Sequence, residues 1–138
     1  MTTVADIVEA HRRREGPLLP ILRDVQAQFG HVSEEAIREI ANALNLTRAE
    51  VHGVVSFYHD FRAGPDDRPI IRICRAEACK ARGVEALMPA IAAAAGDRVC
   101  VETVYCLGLC SIGPSAMTGN HVYARLSEET AVALVEAL

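Results

Sequence analysis

Apolar and polar side chains alternate with helical spacing through the first half of the chain. The segment LLPILRDVQAQFG, residues 18–30, carries apolar residues three or four positions apart and ends in a glycine, which is typical of a helix and its C-terminal stop. Ser33 suits the start of a second helix. TRAE, residues 47–50, has the form of a capping box before a third. The pattern predicts an N-terminal helical region over residues 1–62.

Residues 62–69 are rich in glycine, proline and aspartate and indicate a linker. After this linker, runs of β-branched residues replace the helical pattern. PIIRIC, residues 69–74, and RVCVETVYC, residues 98–106, each predict a strand that leads directly into a cysteine. In α/β sheets, ligands bind beyond the carboxyl ends of the strands. We therefore expect a ligand site at the loops that follow these two strands.

The rest of the second half predicts helices and a hairpin. We expect a helix over about residues 81–95 that Pro89 kinks or interrupts, because proline lacks the amide hydrogen that a helix interior uses. The GN pair at residues 119–120 suits the turn of a hairpin, and Ser127 suits the cap of a final helix. Strands alternating with helices indicate an α/β fold, here a small domain over residues 69–138 preceded by the helical region.

Composition narrows the class of protein. The 138 residues are 51% hydrophobic and 23% charged, which is typical of a folded globular chain, and the net charge of −4 lacks the basic footprint of a nucleic-acid-binding protein. No apolar run reaches the roughly 18 residues of a membrane-spanning helix. The N-terminal segment lacks the apolar core of an export signal. We expect a soluble cytoplasmic protein that neither inserts into a membrane nor binds nucleic acid.

Five cysteines carry the candidate chemistry, and all lie in the second half of the chain. The cytosol keeps thiols reduced, so a structural disulfide framework is not expected. Cys74 and Cys79 are separated by four residues, Cys106 and Cys110 by three, and each pair follows a predicted strand. The two loops can therefore meet at one edge of the sheet and present four sulfur atoms. Cys100 lies within the second strand and is expected to be a small buried side chain, not a ligand.

Three kinds of site use cysteines in this way. A structural zinc ion takes four thiolates, but its ligands are usually spaced more closely. A dithiol oxidoreductase uses one close pair, typically with two intervening residues. A two-iron, two-sulfur cluster takes four thiolates, two for each iron, from longer loops, and the small residues Gly108, Ser111 and Gly113 would let backbone amides approach its sulfides. The spacing favours the cluster, while zinc binding and thiol chemistry remain alternatives.

Histidines and aromatic residues mark a second region of interest, before the linker. His52 and His59 lie seven positions apart and share a face of the predicted third helix, which could hold a metal or contact a partner, although structural histidines are the simpler interpretation. Phe57, Tyr58 and Phe61 are expected to be core or interface residues. An exposed subset of these aromatic side chains would indicate a docking surface.

Three motifs give the chain a resemblance to a known family. They are the helical segment from LLPILRDV to SFYHDF, then CRAEAC, then CLGLCSIGPSAM, and together they cover nearly the whole chain. With these motifs the chain resembles the thioredoxin-like [2Fe-2S] ferredoxins, the family of the 24 kDa subunit of respiratory complex I. The resemblance implies a thioredoxin-like [2Fe-2S] domain over residues 69–138, with a [2Fe-2S] cluster bound by Cys74, Cys79, Cys106 and Cys110.

Within that family, the chain is similar to the gamma subunits of cytosolic NAD-dependent molybdenum formate dehydrogenases. Between the first two cysteines it reads RAEA, where complex I members more often carry a threonine and a proline. After the second pair it reads SIGPS, where complex I members more often carry a stretch that contains asparagine. The resemblance implies an electron-transfer subunit of an oxidoreductase, without catalytic residues of its own. Its partners would be a subunit that holds flavin mononucleotide and NAD, and a large molybdenum subunit that oxidises formate.

Other assignments remain beside this one. The chain has neither a G-x-G-x-x-G pattern nor a phosphate loop, so it is not expected to bind a nucleotide itself. The equivalent subunit of complex I or of an NAD(P)-linked hydrogenase is one alternative. A zinc-stabilised interaction domain is an alternative of another class.

Overall fold

The computed structural model describes residues 1 to 138, and the chain divides into two compact units, Met1–Asp67 and Arg68–Leu138. The first unit is built from four helices. They are α1 (Val4–His11), α2 (Leu18–Phe29), α3 (Glu34–Leu44) and α4 (Arg48–Phe57).

The helix ends in the first unit follow the local chemistry of the sequence. The predicted capping box is confirmed: the Thr47 hydroxyl accepts from the Glu50 amide at 3.1 Å, and the Glu50 carboxylate accepts from the Thr47 amide at 2.7 Å. Gly30 ends α2 with a φ of 79°, which glycine adopts without strain. Helix α1 is absent from the predicted elements, although Thr3 and Asp6 form a capping box of the same kind.

The apolar stripes of the four helices meet in one core. Its centre consists of side chains with 0% exposure, namely Ile21, Leu22, Val25, Ile40 and Val51. Burying an aliphatic side chain of this size contributes about 2 kcal/mol. At the edge of the core, His11 Nε2 lies 2.6 Å from Asp24 Oδ2 and joins α1 to α2. The other ring nitrogen of His11 is buried without a hydrogen-bond partner.

The second unit is an α/β domain around a four-stranded sheet, which confirms the predicted fold class. Its strands are β1 (Ile70–Cys74), β2 (Cys100–Val104), β3 (Ala116–Thr118) and β4 (His121–Tyr123). The strand order is β2-β1-β3-β4, with β1 parallel to β2 and the other neighbours antiparallel. The helices are α5 (Glu77–Ala81), α6 (Val84–Ala95) and α7 (Glu128–Glu136), with a 3₁₀ turn at Cys110–Ile112.

No helix of the structure combines the length and apolar character that a membrane crossing requires.

The helix predicted over residues 81–95 is wrong at its start, and the interruption expected at Pro89 is absent. Gly83 has a φ of 92° and separates α5 from α6, so two helices stand where one was expected. Helix α6 continues without interruption through Pro89. Pro89 and Glu85, whose carbonyl loses its usual amide partner, are both exposed, so water can satisfy that carbonyl.

The parallel pairing of β1 and β2 sets the position of the cysteine loops. Ile70 pairs with Cys100 at one end of the two strands, and Cys74 pairs with Val104 at the other end. Both strands therefore deliver their following loops to the same edge of the sheet. The core beneath the sheet consists of fully buried side chains, including Ile71, Ile73, Val84, Ile91 and Val135.

Candidate metal centre

Four of the five cysteines lie at this edge of the sheet. Cys74 is the last residue of β1 and Cys79 lies in α5, and each has 1% of its surface exposed. Cys106 follows β2 and Cys110 begins the 3₁₀ turn, and both are exposed. The site therefore has a buried pair, Cys74 and Cys79, and an exposed pair, Cys106 and Cys110.

The exposed pair is brought together by an unusual loop conformation. The Sγ atoms of Cys106 and Cys110 are 3.5 Å apart, and the Gly108 amide donates to the Cys106 sulfur at 3.3 Å. Cys106 has a φ of 132°, which is rare for a residue with a side chain. The Cys106 sulfur raises the pKa of the Cys110 thiol, first through their hydrogen bond and then through its negative charge. A cation bound by both sulfur atoms would remove that repulsion.

The buried pair is linked to the exposed pair through the loop after β2. Burial alone raises the pKa of the Cys74 thiol, but hydrogen bonds from the Ala76 backbone, from Cys79 and from the Leu107 backbone outweigh it and leave the pKa below its ordinary value. Leu107 belongs to the loop that carries the exposed pair. The charge of Cys79 also contributes to the raised pKa of Cys110. The Leu107 backbone and the charge of Cys79 thus link the electrostatics of the two pairs.

Hydrogen bonds hold both loops against the sheet. The Arg75 amide donates to the Val104 carbonyl at 2.8 Å, and the Cys74 amide donates to the Ser115 carbonyl at 3.0 Å. The Arg75 guanidinium donates two hydrogen bonds to the Glu85 carboxylate, at 2.9 and 2.7 Å. This pairing anchors the first loop to α6 and holds the pKa of Glu85 below its usual range.

Gly113 provides space beside the buried pair. A β-carbon at this position would lie 3.0 Å from the Cys79 Sγ, which is tighter than most packed atoms approach, and 3.4 Å from Cδ of Arg82. The φ of Gly113 is −65°, so the backbone conformation does not itself require glycine. The need for glycine here comes from the close approach of the backbone to a sulfur atom.

The arrangement of the thiols fits a two-iron group. A [2Fe-2S] cluster takes two thiolates for each iron, and the site offers two pairs. A structural zinc site closes four ligands around one ion. No group of three or more histidine, cysteine, aspartate or glutamate side chains is arranged to hold a metal ion, so the thiols are present as two pairs and not as one closed group of four. Cys74, Cys79, Cys106 and Cys110 are therefore candidate ligands for a [2Fe-2S] cluster.

The fifth cysteine lies apart from this site. Cys100 begins β2 and pairs with Ile70, at the end of the strand opposite Val104. A rise of about 3.3 Å per residue puts it about 13 Å along the strand from Val104. Cys100 was expected to be fully buried, but the structure leaves it half-buried.

The two histidines of the second region line one surface cavity of the first unit, with a volume of about 310 Å³. Helix α4 ends at Phe57, so the predicted shared helix face is wrong for His59, which lies beyond it. His52 Nε2 is 3.9 Å from Glu34 Oε1, a weak contact between exposed side chains. Phe57 is 74% exposed and packs edge-to-face on Tyr58, with ring centroids 5.1 Å apart.

Sequence reasoning missed two residues of the metal centre. Ser115 Oγ lies 3.7 Å from Cys79 Sγ, although the two residues are 36 positions apart. Ser115 lies in the SIGPS segment, but the segment does not indicate this contact, because the pairing of β3 with β1 brings Ser115 beside Cys79. Arg75 carried a usable signal, since it is a basic residue directly after a candidate ligand.

Comparison with known proteins agrees with this geometry. The sequence matches the family described as thioredoxin-like [2Fe-2S] ferredoxin over residues 4–138. The HndA subunit of the NADP-reducing hydrogenase of Solidesulfovibrio fructosivorans is 29% identical over 133 residues, which span 90% of this chain and 78% of that relative. A subunit of the NADH-quinone oxidoreductase of Escherichia coli (strain K12) is 30% identical over 124 residues, which span 83% of this chain and 75% of that relative.

A solved structure shares the fold. The air-oxidised NAD⁺-reducing [NiFe]-hydrogenase matches with a TM-score of 0.72 and 27% identity, over 86% of this chain and 22% of the hydrogenase chain. This chain thus corresponds to about a fifth of that larger chain. On the match over residues 4–138, the chain belongs to the thioredoxin-like [2Fe-2S] ferredoxin family, whose cofactor is a [2Fe-2S] cluster.

Proposed function

We propose that this chain is the electron-transfer subunit of an NAD-linked oxidoreductase complex and holds one [2Fe-2S] cluster through Cys74, Cys79, Cys106 and Cys110. The observation that carries the proposal is the meeting of the buried pair and the exposed pair at one edge of the sheet. The names of the relatives support it, since they are subunits of an NADP-reducing hydrogenase and of an NADH-quinone oxidoreductase.

When bound, a [2Fe-2S] cluster supplies one-electron chemistry. The residues of this chain set the conditions for it. Cysteine ligands bind as thiolates, and the backbone hydrogen bonds that lower the pKa of Cys74 favour that form. Burial of Cys74 and Cys79 excludes water from one side of the site, whereas Cys106 and Cys110 stay exposed. The exposed pair is therefore the side that a redox partner can reach.

Formate is the substrate that we assign to the parent complex. The support lies in the sequence, because RAEA between Cys74 and Cys79 and SIGPS after Cys110 are similar to gamma subunits of NAD-dependent molybdenum formate dehydrogenases. The partners would then be a subunit that binds flavin and NAD and a large molybdenum subunit that oxidises formate. This chain would relay electrons between them without performing hydride transfer.

A hydrogenase is the second candidate for the parent complex. Two observations favour it, namely the relationship to HndA and the structural similarity to an NAD⁺-reducing [NiFe]-hydrogenase. The equivalent subunit of complex I is the third, favoured by the relationship to the NADH-quinone oxidoreductase of Escherichia coli. The three candidates share the same role for this chain and differ in the substrate of the complex.

Purification of the native complex distinguishes these candidates. The full chain would be tagged in its own host, purified without oxygen and assayed with its bound partners. NAD reduction that depends on formate supports the formate assignment, whereas NAD reduction by hydrogen or quinone reduction by NADH replaces it. Iron and acid-labile sulfide are measured on the same sample. Protein with zinc instead of iron, or iron-free protein that reduces disulfides, would contradict the cluster itself.

A further inference from the structure

A buried hydroxyl group lies beside the buried pair. Ser115 has 1% of its surface exposed, and its Oγ is 3.7 Å from the Cys79 Sγ. A hydroxyl that loses water needs a hydrogen-bond partner inside the protein. For Ser115 that partner is the Cys79 sulfur. The Ser115 side chain also contributes to the lowered pKa of Cys74, the other thiol of the buried pair.

The sheet fixes the position of this hydroxyl. Ser115 directly precedes β3, and Ala116 pairs with Ile73 of β1. The Ser115 carbonyl accepts from the Cys74 amide at 3.0 Å, and the preceding Pro114 carbonyl accepts from the Leu126 amide at 3.1 Å. Hydrogen bonds thus hold the backbone at Ser115 and at Pro114, which keeps the serine beside the buried pair.

Metal binding would determine which atom donates in the hydrogen bond between Ser115 Oγ and Cys79 Sγ. In the free thiol form, either the Ser115 hydroxyl or the Cys79 thiol could supply the hydrogen. A cysteine that ligates a metal is a thiolate and has no hydrogen to donate. The serine hydroxyl must then be the donor, and a hydroxyl donating to a charged sulfur is a charge-assisted hydrogen bond. Such bonds strengthen as negative charge on the acceptor increases.

We propose that Ser115 is a positioning residue that donates a hydrogen bond to the buried pair and raises the reduction potential of the cluster. This role rests on the ligand assignment proposed above. Reduction adds one negative charge to the iron–sulfur group and its thiolates, and hydrogen bonds to the sulfur atoms are among the factors that set its potential. The donor stabilises the reduced state more than the oxidised state, so removing it makes the potential more negative.

The test is a redox titration of the full chain, followed by electron paramagnetic resonance, with iron and sulfide measured on each sample. Ser115→Ala should keep its iron and sulfide and lower the ratio of reduced to oxidised cluster about tenfold at a fixed potential, which equals about 59 mV for one electron. Ser115→Thr, which keeps the hydroxyl, should stay near the wild-type potential. Ser56→Ala is the control, because Ser56 is an exposed serine of the first unit whose hydroxyl donates to the Gly53 carbonyl, so its loss should leave the potential unchanged.

The outcomes separate this inference from the proposed function. Wild-type protein without iron and sulfide would refute the cluster and the role of Ser115 together. An intact cluster with an unchanged potential in Ser115→Ala would overturn the inference alone. Loss of iron from both Ser115→Ala and Ser115→Thr would also overturn it, since the residue would then be needed only for packing. Should Ser115→Ala alone fail to keep iron, Ser115→Val is compared with Ser115→Thr, which has the same shape plus a hydroxyl. An equal potential in those two variants would overturn the inference.

Discussion

Gly113 and Cys79 are so close that one methyl group would push them apart. A β-carbon on Gly113 would lie 3.0 Å from the Cys79 Sγ, so the buried sulfur would have to shift by a few tenths of an ångström. Overpacking of this kind costs about 1–3 kcal/mol. The strain would fall on a sulfur that we assign as a cluster ligand.

Gly113→Ala should therefore lower the iron content of the purified chain and its visible absorption. Gly64→Ala is the control, because no atom lies within 4 Å of its β-carbon position and its φ is not in the positive range. The control should keep wild-type iron. A Gly113→Ala protein with a full complement of iron and sulfide would show that the glycine does not protect the ligand.

The ligand assignment predicts that only some of the cysteines are needed for the spectroscopic signals of the cluster. Cys106→Ser and Cys110→Ser each remove one thiolate, so the visible and paramagnetic signals of the cluster should be lost or altered. Cys100→Ser should leave them intact, because Cys100 lies at the other end of β2. The ligand assignment fails if the spectra of Cys106→Ser and Cys110→Ser match those of the unmodified chain.

Gly53 offers a stabilising substitution away from the metal centre. It lies exposed within α4, and an added β-carbon would meet no atom within 4 Å. Gly53→Ala should raise the stability of the first unit by about 0.5–1 kcal/mol, since alanine loses less backbone entropy in a helix. Gly30→Ala should do the opposite, because Gly30 has a φ of 79°. Urea unfolding followed by helical circular dichroism measures both effects, and a shared sign would contradict the prediction.

The contact between His11 and Asp24 predicts a pH-dependent stability. The hydrogen bond from His11 is the main reason that the pKa of Asp24 is below its ordinary value. A lowered folded pKa means that this contribution is present above the unfolded value of about 3.9 and is lost as pH falls through the folded value. Asp24→Asn should therefore reduce stability at pH 7, by no more than about 1 kcal/mol because the Asp24 side chain is 38% exposed.

The measurement compares Asp24→Asn with the unmodified chain at pH 7 and at pH 3. Both proteins are freed of iron beforehand, so that acid release of the cluster does not contribute. The difference in the free energy of unfolding should shrink at pH 3. A difference of the same size at both pH values would mean that the charge of Asp24 is not what stabilises the contact.

The elements that could be predicted from the sequence are those whose cause is local. The Thr47 capping box, the Gly30 stop and the Ser127 cap depend on residues within four positions of one another, and the structure contains all three. Helix α1 was within reach of the same reasoning, because Thr3 and Asp6 repeat the Thr47 and Glu50 pattern. The interruption expected at Pro89 does not occur. Pro89 and Glu85 are exposed, which leaves the freed carbonyl open to water, and sequence spacing does not reveal exposure.

Some features of the candidate site could likewise be predicted from the sequence, and others could not. The pairing of cysteines with strand ends was visible in the sequence, because each pair follows a β-branched run. The φ of Cys106 was not visible, because it is a backbone conformation that a cysteine rarely adopts. The space at Gly113 and the hydroxyl of Ser115 were not visible either, because both depend on contacts with Cys79, which is far away in the chain. The parent enzyme is not encoded in the geometry of this site, because the same two pairs would serve any of the proposed complexes.

The unequal exposure of the two cysteine pairs also predicts where oxidative damage to the protein begins. Oxidants and chelators reach exposed thiolates before buried ones, so we expect damage to begin at Cys106 and Cys110 while Cys74 and Cys79 still hold their side of the site. A partner surface that covers the exposed pair would then act as a shield as well as an electron route. The lifetime of this subunit in air would be set by how much of the time it is in its complex.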